Sequence, residues 1–432
     1  MKKNQYIQHT EYSSDVYLCY NSYNNKFLLL NKEKYLQFDS LNDKKAFKDI
    51  DKDLYELLKE NQFIVEDDFN GYENTLYAKN KMRYNSSTYH LMVNTTLDCN
   101  LNCWYCYENR VKGSKLDSSV IEAIKKNIAD EYMKSSFKVL KVSFFGGEPL
   151  FNFEGVKSIL DYCKAFCEEK GIEIIADFTT NATLITKEVI DYLKSFRCHF
   201  QITLDGNRET HNLVKKDNKN TDTYGCVIQA LRLIEKEISQ RWVAVRINFT
   251  NKTLKYIDEI ISDIDFMNRK TCYVILKKVW QVKTEQVSQE LLFNAIQKLF
   301  NKRFLVDYYV MPKGSICYAE RYREVLINYD GKIFKCSTIG SFDNANSLGK
   351  LNYKTGQINW EENKISIWMN DMTPQYCKEC KWFPACLGPC NKQIIAHKKN
   401  IICTFDAMNM SQKDYLIYLF KFNLLLKELN KV

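Results

Sequence analysis

The sequence predicts an α/β fold built on parallel strands, and three observations carry that expectation. From about residue 88 to 280, short apolar runs rich in β-branched and aromatic residues alternate with helix-period segments. Three cysteines, Cys99-x₃-Cys103-x₂-Cys106, follow directly on the first of those runs. Seven further cysteines crowd into 317–403, where the pattern changes to hairpins.

The chain has 432 residues, 45% hydrophobic and 27% charged, enough for two or three soluble globular domains. The opening MKKNQYIQHTEYSSD has no apolar stretch of the secretory kind. The longest apolar run, Tyr415 to Leu426, is broken by Lys421 and Asn423 and is too short for a bilayer. The expectation is therefore a cytoplasmic protein with no membrane partner. In that reducing compartment cysteines serve as ligands or catalysts more often than as disulfides. The formal charge of +9 comes from dispersed lysines, with no aromatic-interleaved basic run, so nucleic acid is not expected as a partner. What such a charge does suit is a solvated surface and an acidic partner.

Taken in order, residues 1–85 read as a small module. Runs 16–20 and 26–30 flank the turn-forming Asn21-Ser-Tyr-Asn-Asn25, giving two strands. Helical spacing of Phe47, Ile50, Leu54, Leu57 and Leu58 follows, then a returning strand at 63–65. Residues 67–71 are a polar break. Residues 86–285 form the alternating domain, with strands at 91–93, 139–145, 172–178, 200–204, 242–249 and 272–277. Helices are predicted at 118–134, 154–169, 186–196, 224–238 and 253–267. In parallel folds the chemistry sits at the C-terminal ends of strands. The cysteine loop and Gly146-Gly147-Glu148-Pro149 follow the first two strands, so both project onto one mouth. A helical connection is expected over 286–310, and 311–432 is the cysteine-rich domain, with hairpin signals around Asp330-Gly331 and a terminal helix at 407–429.

Three thiolates on one short loop suit three irons of a four-iron, four-sulfur cluster, with the fourth iron left open to a small molecule. A zinc knuckle would need a fourth Cys or His close by, and none is there. Cys99, Cys103 and Cys106, with Tyr105 before the last cysteine and Gly146 to Pro149 after the next strand, resemble the radical S-adenosylmethionine superfamily. The resemblance implies a partial (β/α)₆ TIM-like barrel whose open iron is chelated by S-adenosylmethionine. It further implies cofactor contacts from Tyr105, from Gly146, Gly147, Glu148 and Pro149, and from Asn181 at the third strand end. Thr203 and Asp205 at the fourth would offer polar atoms to ribose, and Arg246 would meet the methionine carboxylate. Adjacent glycines fit because backbone carbonyls approach an amino group only where side chains are missing. Where the family often has Asn-Gly, this chain has Asn181-Ala182. His211, in a polar loop, fits either a place over the mouth or plain loop polarity.

The second constellation is Cys317-x₁₈-Cys336, then Cys377-x₂-Cys380-x₅-Cys386-x₃-Cys390, then Cys403. It is similar to the seven-cysteine extension called the SPASM domain. That resemblance implies two auxiliary four-iron clusters, one on Cys377, Cys380, Cys386 and Cys403, the other on Cys317, Cys336 and Cys390. An eighth cysteine found in some relatives is here Met311. A zinc ribbon over 377–390 would leave Cys317, Cys336 and Cys403 without roles. The other six cysteines lie in apolar patterns and read as small core residues.

Enzymes with this extension mostly modify peptides, and the N-terminal module resembles the small winged-helix-like element with which peptide maturases grip a leader sequence. The implied activity is radical maturation of a ribosomally made precursor peptide through a side-chain crosslink. A small electron donor such as flavodoxin or ferredoxin is the implied second partner. The competing reading is an anaerobic sulfatase maturase, in which an aspartate follows the second cysteine of the extension; here Ser337 and Thr338 follow Cys336. A non-catalytic iron–sulfur scaffold is a third, poorly matched to an intact triplet.

Overall fold

The computed structural model describes the chain over residues 1–41, 46–282, 286–309, 315–397, 403–408 and 410–430, and three sheets organise these described residues. The chain divides into two units. The first contains Met1–Arg83, Tyr309–Cys317 and Asp371–Glu428; the second contains Tyr84–Tyr308, Tyr318–Asn370 and Leu429–Val432. The stretch read as one domain over 311–432 is thus shared between them. Met311 lies outside the described residues.

In the first unit, β1 (Lys2–Lys3) is followed by an antiparallel sheet of β2 (Ile7–Ser13), β3 (Val16–Asn21) and β4 (Lys26–Asn31), and β5 (Ile64–Val65) returns to pair with β1. Strand β2 escapes the sequence pattern because IQHTEYS carries only Ile7 into the core. Helices Lys32–Asp39 and Lys52–Glu60 start on side-chain caps from Asn31 and Asp51. Their apolar faces enclose Phe38, Leu54, Leu58 and Phe63 with Cys19 and Leu30 from the sheet. The other sheet face meets Trp382, whose ring lies 5.7 Å from Tyr20 and 4.7 Å from Phe405. The Ser22 hydroxyl donates to the Lys381 carbonyl at 2.6 Å. The polar break at 67–71 leads into a helix, Gly71–Arg83, absent from the sequence pattern.

In the second unit β6 (Thr88–Thr96), β7 (Val139–Gly146), β8 (Glu173–Thr180), β9 (Arg197–Thr203), β10 (Arg241–Phe249), β11 (Cys272–Lys278) and β12 (Leu305–Asp307) are parallel neighbours in chain order. Six were expected. The seventh, β12, is three residues long and sits inside the predicted connection, after a helix at Gln289–Asn301. The sheet continues past β6 through β13 (Glu324–Ile327), again parallel, and then antiparallel β14 (Lys332–Phe334), β15 (Gly349–Leu351) and β16 (Ile358–Trp360).

Period-two alternation gives this sheet two unlike faces. Val142, Phe144, Ala176, Phe178 and Phe200 share one, where Phe144, Phe178 and Phe200 stack at 5.2 and 5.5 Å. Helix Phe153–Lys170 packs against β7 and β8. The opposite face is polar: His90 meets Glu324 at 2.8 Å and Ser143 at 2.7 Å, and Ser143 donates to Asp177. Side chains of Asp117, Asn152, Thr186, Asp222 and Ser288 cap the helices at Ser118–Lys134, Phe153–Lys170, Lys187–Leu193, Thr223–Glu237 and Gln289–Asn301. The helix read at 253–267 is two, Asn251–Lys255 and Ile257–Asp263. No helix among the described residues is long and apolar enough to cross a membrane.

Arg323 pins the start of β13 to the parallel strands. Its buried guanidinium donates to the carbonyls of Ser135 (2.6 Å), Glu131 (2.5 Å) and Ser86 (3.2 Å), and lies over the Phe137 ring. Arg323→Leu leaves these acceptors unpaired and should cost about 3 kcal/mol, read as a lower urea midpoint.

Candidate active site

The C-terminal ends of β6 to β10 bring together the three loop cysteines and the residues singled out as cofactor contacts. The cysteine loop leaves β6 on a fold made by Asp98. One carboxylate oxygen accepts from the Cys99 N–H at 2.8 Å, the other from the Gly113 N–H at 2.8 Å. Arg110 donates to the Cys99 carbonyl at 2.6 Å and to Asn102. N–H donors point at the Cys99 sulfur, from Leu101 at 3.4 Å and from the Asn181 amide at 3.8 Å. Cys99, Cys103 and Cys106 are all free thiols. Burial pushes the Cys99 thiol up to about 12 and raises Cys103 and Cys106 as well, so these groups become thiolates only when a metal supplies compensating positive charge. Three free sulfurs on one loop, one of them already receiving N–H donors, fit the donor set of an iron–sulfur cluster. Among the described residues no group of three or more His, Cys, Asp or Glu side chains converges on a single metal ion.

Gly146 and Gly147 have a different reason from the one their sequence suggested. A Cβ at Gly146 would fall 2.1 Å from the Thr96 carbonyl oxygen, and one at Gly147 would fall 2.0 Å from that of Asp98. Gly146 also sits at φ +111°. The pair lets the end of β7 lie on the backbone leading into the cysteine loop, where Gly147 and Glu148 donate to those same two carbonyls at 3.0 Å. Glu148 corrects an expectation too. Its carboxylate is fully buried and accepts from the Thr180 hydroxyl (2.7 Å), the Asn181 N–H (2.8 Å) and the Leu150 N–H (3.1 Å). It locks β7 to β8 rather than facing outward for a charge-assisted contact. Pro149 begins a short 3-10 turn whose carbonyl accepts from Thr95.

Thr203 and Asp205 are likewise committed inward. Lys215, buried, donates to Thr203 at 3.0 Å and pairs with Asp205 at 3.4 Å. Asp205 also accepts from Tyr105 and, at 2.9 Å, from Asn248; its carboxyl is held below the usual range despite burial, by Lys215, His211 and these bonds. Arg246 is half-buried, and its Nε donates to Asn248 at 2.9 Å. His211 is buried under the loop, accepts from the Asp205 N–H at 3.1 Å, and is pushed down to about 4 by desolvation. A pocket of about 180 Å³ opens beside this network, lined by Trp104, Tyr105, Leu213, Val214, Asp205 and Asn248. Trp104, Lys215, Leu213 and Asn248 were not foreseen. Asn248 was findable, two residues from Arg246 on the same strand face, whereas Lys215 looks like any lysine of a polar loop.

In the first unit, Cys377 faces Cys386, Cys380 and Cys403, and burial with their combined charge pushes it up to about 12. Cys317 and Cys390 are exposed members of that unit; Cys336 is buried in the second. After Cys336 the Ser337 hydroxyl is 2.6 Å from that of Tyr318.

Two outcomes are expected. Ala182 occupies φ +63°, the left-handed region that disfavours a Cβ, so Ala182→Gly should stabilise the chain by up to about 1 kcal/mol in urea unfolding. His211 is neutral in the folded chain to about pH 4, while the unfolded chain binds the proton from about 6.5, so its contribution is present above that range and is lost as pH falls between them. His211→Asn should remove part of the acid destabilisation between pH 6.5 and 4, by no more than about 3 kcal/mol.

Comparison with known proteins agrees with this geometry. Residues 93–264 match the model of the radical SAM superfamily. The cysteine-type anaerobic sulfatase-maturating enzyme of Clostridium perfringens is 25% identical over 363 residues, 74% of this chain and 93% of that protein. The radical SAM cyclopropyl synthase TigE of Paramaledivibacter caminithermalis is 26% identical over 179 residues, 38% of this chain and 36% of TigE. Among solved structures, native anSMEcpe with bound AdoMet and Kp18Cys peptide shares the fold, with a TM-score of 0.57 at 18% identity over 80% of this chain and all of that one. The cysteine loop, the glycine pair and the ends of β7 to β10 all fall inside the matched stretch, so it is this stretch that is similar to the radical SAM superfamily.

Proposed function

We propose that this chain is a peptide maturase that forms a crosslink, through sulfur, carbon or oxygen, between side chains of a ribosomally made precursor. When bound, the four-iron cluster and S-adenosylmethionine supply reductive cleavage of the sulfonium and a 5′-deoxyadenosyl radical that abstracts hydrogen from a substrate carbon. Cys99, Cys103 and Cys106 would hold the cluster. The cofactor would lie over the glycine pair, with Arg246 near its carboxylate and the Trp104–Leu213 pocket taking an apolar, planar group such as its base. Tyr105, Asn181, Thr203 and Asp205 shape that floor from within. Cys377, Cys380, Cys386 and Cys403 are the proposed ligands of one auxiliary cluster; Cys317, Cys336 and Cys390 are those of a second, which would take up the surplus electron. A small acidic electron carrier of the flavodoxin or ferredoxin class is the proposed reductant. The three-stranded sheet of the first unit, with β2 and β4 at its edges, suits strand pairing with an extended leader segment.

The observation that carries the crosslinking reading is Ser337. It follows Cys336, where by the resemblance a sulfatase maturase has an aspartate base; the Ser337 hydroxyl lies 2.6 Å from that of Tyr318, and a hydroxyl does not accept a proton readily at neutral pH. The second reading, formylglycine formation, keeps one specific support, the match to 93% of a sulfatase-maturating enzyme.

Anaerobically reconstituted protein with S-adenosylmethionine and reductant should release 5′-deoxyadenosine, and Cys103→Ala should abolish release while about two-thirds of the iron stays bound, the share of two clusters in three. Turnover by that variant would contradict the assignment. Small peptides encoded beside the gene should lose two hydrogens in mass on incubation. A cysteine peptide converted to formylglycine instead would establish the second reading.

A further inference from the structure

Lys215 is a buried ammonium that no step above employs. It is 6% exposed, reached through a polar loop, and fixed at both ends. Its carbonyl accepts from Thr223 at 3.0 Å, and the neighbouring Lys216 carbonyl accepts from the Asn102 N–H at 2.6 Å, inside the cysteine loop itself. The side chain then runs to Thr203 and Asp205 and lies 5.5 Å from the centre of the Tyr105 ring, the residue between Cys103 and Cys106. A buried ion pair is weak evidence for a stability role, because desolvation offsets most of its Coulomb gain. Its field is another matter, since charges in a low-dielectric interior act over several ångströms with little screening.

The two charges of the pair are not equally placed toward the thiols. The Lys215 ammonium lies over the Tyr105 ring, whereas Asp205 accepts from the hydroxyl at the far end of that ring, farther along the side chain from the loop backbone that carries Cys103 and Cys106. Other charges surround the loop. Arg110, which donates to the Cys99 carbonyl, adds to the positive side from an exposed position where solvent screens it.

We propose that Lys215 sets the reduction potential of the cluster carried by Cys99, Cys103 and Cys106, its fixed positive charge favouring the reduced form while Asp205 opposes it. The step is a one-electron reduction: the cluster gains one electron and one unit of negative charge, which the ammonium stabilises, and a carrier of the flavodoxin or ferredoxin class is oxidised by one electron. This inference rests on the proposed cluster assignment, and the two fail differently. If Cys99, Cys103 and Cys106 bind no cluster, replacing all three with alanine leaves the iron content unchanged.

The test is a potentiometric titration of the reconstituted full chain, following the electron paramagnetic resonance signal that changes on adding S-adenosylmethionine. Lys215→Met should lower the ratio of reduced to oxidised cluster at a given potential about tenfold, equivalent to about 59 mV for one electron. Asp205→Asn should move the ratio the opposite way, and Lys215→Arg should stay within about twofold of the parent, since it keeps the charge. A purely structural role would shift Lys215→Met and Asp205→Asn in the same direction or not at all, and either result overturns the proposal. If Lys215→Met does not load iron, the Asp205→Asn and Lys215→Arg pair still decides it, because an unmoved or lowered ratio in Asp205→Asn sinks the idea.

Discussion

The contact on which the site depends is the seating of Gly146 and Gly147 on the carbonyls of Thr96 and Asp98. With a would-be Cβ only about 2 Å from those oxygens, no other residue lets β7 end there. That seating places Glu148 below the mouth, where its buried carboxylate gathers donors from β8 and from the turn after Pro149. Asn181 is thereby aimed back at the Cys99 sulfur and at Asn100. One close approach of backbones fixes the ends of three strands and the entry to the cysteine loop. The buried, fully partnered carboxylate makes this arrangement stiff, since losing any donor would leave charge unsatisfied.

Around that stiff floor the site is electrostatically unfinished. The thiols of the loop are raised by burial and stay protonated until a metal compensates them, so metal loading and the final loop geometry are coupled. The inner polar residues are the reverse: Asp205, Asn248, Tyr105, Thr203 and Lys215 already satisfy one another. A cofactor therefore meets a preorganised wall, and little rearrangement entropy opposes its binding. The apolar part of that wall, Trp104 and Leu213, is more than half exposed and loses that exposure when a ligand covers it.

What could be read in the sequence follows from how strongly each feature is tied to pattern. Parallel strands buried on one face announce themselves through runs such as Val139–Gly146, and helix caps such as Asp117 and Asp222 mark their starts. The cysteine spacings and the glycine pair were legible because the chemistry tolerates few alternatives at those places. Strand β2 was not, since its pairing with β3 is specified by the backbone while its side chains are mostly polar. Among inward-turned polar groups, Glu148 was legible in identity but not in direction, and Lys215 in neither. Sequence spacing placed Glu148 at the mouth; only the approach of Thr180 and Asn181 shows that it faces the protein. Nor does linear order reveal that Asp371–Glu428 folds with Met1–Arg83 while Tyr318–Asn370 joins the parallel strands, because that division is decided by contacts far apart in the chain.

Under the proposed function, hydrogen abstraction would leave a substrate radical, and forming a closed-shell bond from it would require loss of an electron and, when a thiol or alcohol joins, of a proton as well. Ser337 follows Cys336, its hydroxyl 2.6 Å from that of Tyr318, and neither of these two groups is an anion at neutral pH. The proton must then be carried by the incoming group itself or by solvent, which is easier for a thiolate than for a serine hydroxyl at neutral pH. Such a site rewards substrates whose nucleophile is already acidic. Within the proposed function, thioether formation from a cysteine side chain would meet that condition with the fewest protein groups.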